Sequence, residues 1–254
     1  MPYVEDSFLN RESIRKLAPF LRSPVLIVGA GQGILVEELQ KQGLEITGVD
    51  FEPLMLEYAQ KRRGLELIQS DAADMPFADR SFKTSVIATG VVDFMNDEKQ
   101  IKSIIQETQR VTDGVGDVFI AFYRFLPKVE ELLRYIGTIT DKDTWCYRRS
   151  CAMSSLGFPA QLKAIIRDFG VFRALRILLR VQMGLARKER RELKRWPKIW
   201  KQVKKDLGSL EPLLASTPEE VPYRNEESIK NLFKNFNIPI QKMLIFDSCT
   251  VVQV

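Results

Sequence analysis

The sequence contains no histidine, which removes the commonest general base, the commonest zinc ligand and every catalytic triad that depends on an imidazole. Its three cysteines, Cys146, Cys151 and Cys249, are odd in number and fit no metal-binding spacing, so we expect a reduced cytoplasmic setting and no metal site. No apolar run approaches the roughly 18 residues that a membrane-spanning helix needs, and the first residues show no signal-peptide pattern. Chemistry must therefore come from carboxylates, tyrosine, lysine or a cofactor.

The charge of the chain is unevenly distributed. The formal net charge is +5, yet residues 171–206 alone hold thirteen Arg or Lys against three Asp or Glu. We therefore expect a basic segment attached to a mildly acidic body. At 254 residues and 45% hydrophobic content, the chain is long enough for one α/β domain with an added segment.

The most informative stretch is 24–44, which reads PVLIVGAGQGILVEELQKQGL. The apolar run over 25–28 is typical of a buried central strand. Gly29, Gly31 and Gly33 then predict a tight turn, and the apolar residues after it recur at helical spacing. A strand–turn–helix unit of this kind lets a ligand approach bare backbone, and the start of its helix favours an anionic group.

The spacing of the glycines narrows the class of ligand. A nicotinamide-binding fingerprint would place its third small residue at Ile34, and a phosphate-binding P-loop would end in Gly-Lys-Ser or Gly-Lys-Thr, which is absent. The G-x-G-x-G spacing resembles motif I of the class I S-adenosylmethionine (SAM)-dependent methyltransferases. A glycine turn that serves tight packing alone is the alternative interpretation.

Strands and helices are predicted to alternate around this unit. The helices begin near residue 7, at Ile34, at Pro53, after a cap at Asn96, and after a cap at Asn225. The strands cover 25–28, 45–50, 65–69, 84–88, 117–123, 238–246 and 249–254. This order predicts an α/β fold with a doubly wound, seven-stranded Rossmann-like sheet and a helical insert after the fifth strand.

A second motif makes the resemblance more specific. Residues 71–82, DAADMPFADRSF, are similar to the D-A-x-x-L-P-F-x-D-x-S-F signature of the ubiquinone/menaquinone-like (type 11) methyltransferases. The resemblance covers 20–124 and, more loosely, 223–254. It implies transfer of the methyl group of SAM to a small-molecule or lipid-like, quinone-like acceptor by in-line SN2 displacement. The alternatives are a non-catalytic SAM-fold protein that binds RNA, membrane or a partner, and an enzyme that transfers another part of SAM.

The resemblance also implies a set of residues around the cofactor. The glycine turn would meet the methionine part of SAM, Asp50 the ribose hydroxyls, Phe51 the adenine face, and Asp71 with the Ala72 N–H the adenine edge. The residues after the fourth strand would lie under the methionine part. The full expected set is Gly29, Ala30, Gly31, Gly33, Asp50, Phe51, Asp71, Ala72, Thr89, Gly90 and Val91.

Other interpretations of these residues stay open. Asp50 is also placed to cap the following helix, Asp71 to open a turn, and Phe51 to pack in the core. Asp93 is expected either to be structural or to line the site near the substrate. No catalytic residue is singled out. If the acceptor must lose a proton, the candidate bases are Asp93, Tyr3, Tyr123, Tyr147 and Tyr223.

The domain organisation follows from the same pattern. Residues 1–125 with 223–254 are predicted to form the SAM-binding domain, and 126–222 a basic helical insert that covers the acceptor site as a lid. Within it, 171–206 fits an ordinary lid helix, a contact with an anionic membrane surface, or a nucleic-acid patch, of which the last is the least favoured. We expect a cytoplasmic protein, and peripheral binding to the membrane through 171–206 is one of the alternatives. The oligomeric state is left open.

Overall fold

The structure is a computed structural model. It describes residues 11–113, 117–135, 138–146, 166–167, 171–172, 175, 177, 220–246 and 249–254. The chain divides into two compact units. The larger unit is formed by Glu5–Arg124 with Arg224–Val254, and the smaller mainly by Phe125–Tyr223.

Nine strands lie within the described residues. They are β1 (Val25–Val28), β2 (Ile46–Asp50), β3 (Ile68–Gln69), β4 (Thr84–Ile87), β5 (Val118–Tyr123), β6 (Thr144–Trp145), β7 (Val221–Pro222), β8 (Lys242–Ile245) and β9 (Cys249–Gln253). Seven of these described strands form one mixed sheet in the order β3-β2-β1-β4-β5-β9-β8. The predicted seven-stranded sheet is thereby confirmed.

Helices flank this sheet in the larger unit. The described α-helices of the chain are α1 (Arg11–Leu17), α2 (Ile34–Gln40), α3 (Pro53–Arg63), α4 (Glu98–Val111), α5 (Pro127–Tyr135) and α6 (Glu226–Phe236). Pro53 starts α3, where its missing N–H costs nothing, and Gly64 ends it in the left-handed conformation. Asn225 caps α6, because its side chain accepts a hydrogen bond from Ser228 N at 2.9 Å.

The order of the sheet places a crevice at one edge. β1 pairs in parallel with both β2 and β4, and β5 continues the parallel set beyond β4. The strand order therefore reverses between β1 and β4, and in such sheets ligands bind outside the carboxyl ends of the strands at this reversal. β9 runs antiparallel to β5 and β8 antiparallel to β9, which completes the sheet on the other side.

Successive strand residues face two separate cores. Val25 and Ile27 of β1 belong to one core, and Leu26 and Val28 to the other. The central strands β1 and β5 are buried on both faces, which explains why their sequences are apolar throughout. The helical residues that meet these strands are Ile14, Leu17, Leu35 and Leu39 in the first core and Ile101, Ile104, Ile229 and Phe233 in the second.

The described residues of the smaller unit include an aromatic cluster. The Phe125 ring meets the Trp145 ring edge-on, with 5.1 Å between centroids, and stacks on the Tyr223 ring at 5.7 Å. Arg134 lies over the Tyr223 ring and bonds to Glu130. The antiparallel pair of β6 and β7 was not predicted, because two-residue strands leave no periodicity in a sequence that otherwise reads as helical.

Several predicted boundaries differ from the structure. The strand expected over 238–246 is β8 at Lys242–Ile245, because only these four residues pair with β9. β3 was expected over 65–69 but is only two residues long, because it pairs only with Val49 and Asp50 at the end of β2. The opening helix over 7–21 is α1 followed by a 3₁₀ turn at 18–20, and its first residues lie outside the described part. Asn96 does not cap α4: the cap is Asp97.

The basic segment over 171–206 lies almost entirely outside the described residues. Of it, the structure describes 171–172, 175 and 177. In the part of the chain that is described, none of the helices is both long and apolar enough to cross a membrane. The assignment of 126–222 as a lid over the acceptor stays a prediction.

The α4 cap can be tested by a matched pair of substitutions. The Asp97 side chain accepts hydrogen bonds from Lys99 N at 2.9 Å and from Gln100 N at 3.4 Å. We expect Asp97→Ala to lower the free energy of unfolding by about 1 kcal/mol, because two N–H groups of the first turn lose their acceptor. Asn96→Ala, at the neighbouring exposed position, should change it by less than about 0.5 kcal/mol. Urea unfolding measures both, and equal losses would contradict the assignment.

Candidate functional site

The corner formed by residues 29–33 is fixed by backbone hydrogen bonds. Gly29 N and Ala30 N both donate to Val49 O, at 2.9 and 2.8 Å, and Gly33 N donates to Ala30 O at 2.9 Å. These bonds tie the glycine corner to β2. Backbone hydrogen bonds therefore define the shape of the corner.

Two glycines of the corner face different surroundings. At Gly29 (φ +74°), an added Cβ would collide with the Val91 side chain, so only glycine permits this close approach. At Gly31 (φ +53°), an added Cβ would meet nothing within 4 Å. The corner is thus closed where it touches the segment after β4 and open at Gly31.

Asp50 joins this corner to the end of β2. Its Oδ2 accepts a hydrogen bond from Gly31 N at 2.7 Å, and its Oδ1 accepts one from Glu52 N at 3.0 Å. The side chain is 9% exposed. Each carboxylate oxygen can accept two hydrogen bonds, so one lone pair on each oxygen remains for a ligand. The helix-cap interpretation is not supported, because the cap of α3 is Glu52, which accepts from Leu54 N.

Burial raises the pKa of the Asp50 carboxyl above its ordinary value, and the N–H groups of Glu52 and Gly31 oppose this rise. Both donors point at the carboxylate and favour its charged form. A carboxylate in this setting accepts hydrogen bonds from paired hydroxyls more strongly than a neutral acid does.

Phe51 and Asp71 lie beside Asp50 at the same edge. Phe51 is 70% exposed, so the core interpretation of this residue is wrong. Ser70 N donates to Asp50 O at 3.1 Å, which places Asp71 directly after the point where β3 meets β2. Asp71 Oδ1 accepts from Ala73 N at 2.8 Å and so opens a turn, while its exposed side chain keeps its other oxygen accessible.

The segment after β4 completes the crevice from the other side. Gly90 has a φ of +87°, and its N–H donates to Asp93 Oδ1 at 2.6 Å. Thr89 is partly buried, and Val91 packs against Gly29 as described. The expected cofactor residues at 29–33, at 50–51, at 71–72 and at 89–91 therefore occupy one edge of one sheet.

Asp93 does not face the crevice. It is 3% exposed, its Oδ2 accepts from Tyr123 N at 3.1 Å, and it thereby bridges the ends of β4 and β5. Arg224, far along the chain, donates to Asp93 O and to Met95 O, each at 2.6 Å. Asp93 is a positioning residue for the segment after β4, and its pairing with Arg224 was not foreseen.

Burial raises the pKa of Asp93 to about 6, and the N–H groups of Tyr123 and Gly90 and the Arg224 charge act in the opposite direction. Among the other candidate bases, Tyr223 donates its hydroxyl to Glu130 Oε2 at 2.9 Å. Burial, with Glu130 beside it, raises the pKa of Tyr223, so this phenol stays protonated. Tyr123 is buried in β5, and Tyr3 and Tyr147 lie outside the described residues.

The 71–82 signature is held against α4 by an ionic network. Glu107 Oε1 accepts from Met75 N at 2.8 Å, and Arg110 donates to Phe77 O at 2.9 Å and to Asp79 at 2.6 Å. Met75 itself is buried in the second core. Most of this signature therefore shapes the loop beside the crevice, and Asp71 and Ala72 at its start reach the crevice edge.

Gln32, which lies between two glycines of the corner, was not predicted as a site residue. Its side chain is 6% exposed, and its Oε1 is buried without a hydrogen-bond partner among the described residues. A long amide between two glycines was the only signal available, and the sequence cannot show that such a group lacks a partner.

Comparisons with known proteins agree with this geometry. Residues 25–116 match the family described as Methyltransferase domain. The demethylmenaquinone methyltransferase of Thermotoga maritima is 35% identical over 162 residues, which are 58% of this chain and 69% of that protein. The demethylmenaquinone methyltransferase of Corynebacterium kroppenstedtii is 29% identical over 180 residues, 65% of this chain and 75% of that protein. With two further demethylmenaquinone methyltransferases, the match spans only 37% and 40% of their lengths.

A solved structure resembles this chain in fold along most of its length. The crystal structure of a SAM-dependent methyltransferase from Methanosarcina mazei superposes with a TM-score of 0.52 at 15% identity and covers 94% of each chain. The sheet order and the glycine corner after its first strand define the class I methyltransferase fold. The chain belongs to the class I SAM-dependent methyltransferases. It is an enzyme that uses SAM as its cofactor and transfers the methyl group to a small-molecule acceptor, and the non-catalytic alternative is not favoured.

The residues of the crevice fit this cofactor. Asp50 has one free lone pair on each oxygen, Phe51 presents an exposed ring, and Gly31 leaves open space beside bare backbone. The described residues supply no hydrogen-bond donor to the buried side-chain oxygen of Gln32, so a ligand could supply one.

The buried carboxyl of Asp93 predicts a specific dependence of stability on pH. Its folded-state pKa of about 6 lies above the ordinary 3.8, so between these values the folded chain holds the proton more tightly than the unfolded chain. The contribution of Asp93 to stability is therefore greatest below this window and falls as the pH rises through it.

We expect the stability of the wild type relative to Asp93→Asn to decrease by up to about 3 kcal/mol between pH 4 and pH 7. Urea unfolding at both pH values measures this difference. Asp141→Asn, at an exposed position, is the control that removes a carboxylate outside the buried cluster. An advantage of the wild type that grows with pH would show that the sign is wrong.

Proposed function

We propose that the methyl acceptor is an apolar, quinone-like molecule in its reduced, hydroquinone form. The observation that carries this proposal is the similarity to demethylmenaquinone methyltransferases over 69% and 75% of their lengths. The resemblance of the 71–82 signature to quinone-type methyltransferases supports the same class of acceptor.

We further propose how the chain holds SAM. Asp50 would accept hydrogen bonds from both ribose hydroxyls, since each of its oxygens keeps a lone pair. Phe51 would cover the adenine face, because burial of its exposed ring is favourable. Asp71 and the Ala72 N–H would pair with the adenine edge. The methionine part would lie along Gly29, Ala30, Gly31, Gly33, Thr89, Gly90 and Val91.

The absence of histidine agrees with a phenolic acceptor. SAM supplies a methyl group that its sulfonium has already activated, so the protein mainly has to position the acceptor in line and exclude water. A hydroquinone is itself an acidic, electron-rich nucleophile, which lessens the demand on a protein base. The described candidates agree with this, because Tyr223 stays protonated and Asp93 faces the interior.

The acceptor class is tested with SAM that carries a labelled methyl group. Purified protein is incubated with a short-chain demethylated naphthoquinone, either chemically reduced or oxidised. We expect label in the organic extract with the reduced form only, because the oxidised ring is electron-poor and does not attack a methyl cation equivalent. Asp50→Asn should lower kcat/KM for SAM by about tenfold or more, since it removes a charged acceptor.

One control variant and two contrary outcomes define what this assay can show. Gln40→Met, at an exposed position of α2, should leave the rate unchanged. Methylation of polar amines in place of the hydroquinone would contradict the proposed acceptor. Failure to bind SAM or its demethylated product in calorimetry would contradict the proposed cofactor site.

We also propose that the basic segment contacts an anionic membrane surface, where an apolar quinone would reside. Three apolar side chains of this segment are helical and exposed: Val171 at 63%, Phe172 at 86% and Leu175 at 54%. They lie within a stretch that holds thirteen Arg or Lys against three Asp or Glu. Exposed apolar side chains combined with clustered positive charge favour binding at the interface of anionic lipids.

Vesicle flotation at low salt tests this contact. We expect the wild type to float with vesicles that contain anionic lipid and not with neutral vesicles. The double variant Phe172→Ser, Leu175→Ser should reduce the bound fraction about tenfold, because two apolar anchors are lost. The control is Ile245→Ser, at an exposed apolar residue of the larger unit. No flotation of the wild type would rule the contact out.

A further inference from the structure

Gln32 holds the one buried side-chain polar atom that lacks a hydrogen-bond partner among the described residues. The side chain is 94% buried, and its Oε1 has neither a protein donor nor access to solvent. Buried polar atoms are nearly always paired, because an unpaired one destabilises the fold. An exception in the glycine corner of a cofactor site therefore calls for a ligand that supplies the donor.

The backbone of Gln32 is held in place by neighbouring elements. Arg63, at the end of α3, donates its Nε to Gln32 O at 3.0 Å and forms an ion pair with Glu37 of α2. Leu65 occupies the space where a Cβ on Gly33 would stand. The backbone carbonyl is thus paired while the side-chain oxygen is not. The unpaired Oε1 of Gln32 therefore belongs to a segment whose backbone is held by hydrogen bonds to α3.

The chemistry of SAM leaves one donor for this oxygen. A neutral amide oxygen only accepts hydrogen bonds, so it needs an N–H or O–H partner. SAM carries three kinds of donor: the ribose hydroxyls, the adenine amino group and the α-ammonium of its methionine part. Under the proposed function, on which this step rests, Asp50 takes the hydroxyls and Asp71 the adenine amino group. The α-ammonium remains, and it belongs to the part of SAM assigned to the glycine corner.

We propose that Gln32 Oε1 accepts a hydrogen bond from the α-ammonium of SAM. Gln32 then acts as a specificity-determining residue, because it requires a ligand with an intact amino-acid tail. A charged donor makes this bond stronger than one between neutral groups. The backbone is held in place, but Gln32 Oε1 has no accessible surface, so the side chain turns toward the crevice when the bond forms.

Two ligands separate this role from a purely structural one. S-Adenosylhomocysteine keeps the α-ammonium, whereas 5′-methylthioadenosine keeps the adenosine and the thioether but has no amino-acid tail. A residue that pairs with the ammonium affects only the first ligand. A residue that merely supports the corner affects both ligands or neither.

The experiment is calorimetric titration of the whole protein with both ligands. Gln32→Met keeps the length of the side chain and removes the acceptor. It should weaken binding of S-adenosylhomocysteine about tenfold or more and change binding of methylthioadenosine less than about twofold. Gln32→Glu keeps the acceptor oxygen and removes the amide donor. Its affinity for S-adenosylhomocysteine should therefore be no more than about threefold weaker than that of the wild type.

Two reference variants show whether a loss of affinity is specific to Gln32. Gln40→Met carries the same substitution at an exposed position of α2 and should alter neither affinity. Asp50→Asn should weaken both ligands, because both carry the ribose. Thermal unfolding of each variant establishes that it is folded, and Gln32→Glu provides a second readout if Gln32→Met is not.

Three results would overturn a stated claim. Equal losses for the two ligands in Gln32→Met, or no loss for either, would show that Gln32 is only structural. A tenfold loss of S-adenosylhomocysteine in Gln32→Glu would show that the amide donates to the ligand's carboxylate instead. If the wild type binds neither ligand, the proposed cofactor site itself fails, and this outcome is distinct from the other two.

Discussion

The hydrogen bond from Gly31 N to Asp50 Oδ2 is the interaction on which the edge of the sheet proposed to hold SAM depends. It joins the corner after β1 to the end of β2, two places 19 residues apart in the chain. Because donor and acceptor both belong to the chain, the protein itself sets the geometry of this edge. Such preorganisation reduces what a ligand must order on binding. The open space at Gly31 and the exposed ring of Phe51 can contact a ligand together only because this bond holds the two segments in place.

The opposite side of the crevice obeys a second constraint. Val91 touches Gly29 so closely that no other residue fits, and Asp93 fixes the same segment to β5 through Tyr123 N. A carboxylate that accepts two backbone N–H groups inside the protein remains costly to bury, and the raised pKa of Asp93 expresses that cost. The crevice is thus lined by backbone and small residues, while its rigidity comes from charged groups set behind it.

Local patterns in the sequence predicted the sheet well and the pairings poorly. The strands β1 and β5 are apolar on both faces, which made them easy to recognise. The α4 cap was placed one residue early, because Asn96 and Asp97 are both good caps and only backbone geometry chooses between them. The glycine turn was recognised from the spacing of its glycines, whereas the role of Asp50 was implied by the resemblance and stays a prediction. The orphan amide of Gln32 and the bonds from Arg224 depend on three-dimensional neighbours, which no single sequence displays.

The bonds from Arg224 to the carbonyl groups of Asp93 and Met95 join positions more than 120 residues apart. A ribosome makes the strands β1 to β5 long before it makes this arginine. Until residues 224–254 have been synthesised, the turn after β4 lacks the hydrogen bonds that Arg224 donates to it. Over the same period β5 lacks β9 as its neighbour in the sheet. The nascent sheet therefore keeps an unpaired edge throughout synthesis of the intervening segment, a period in which chaperone binding would protect it.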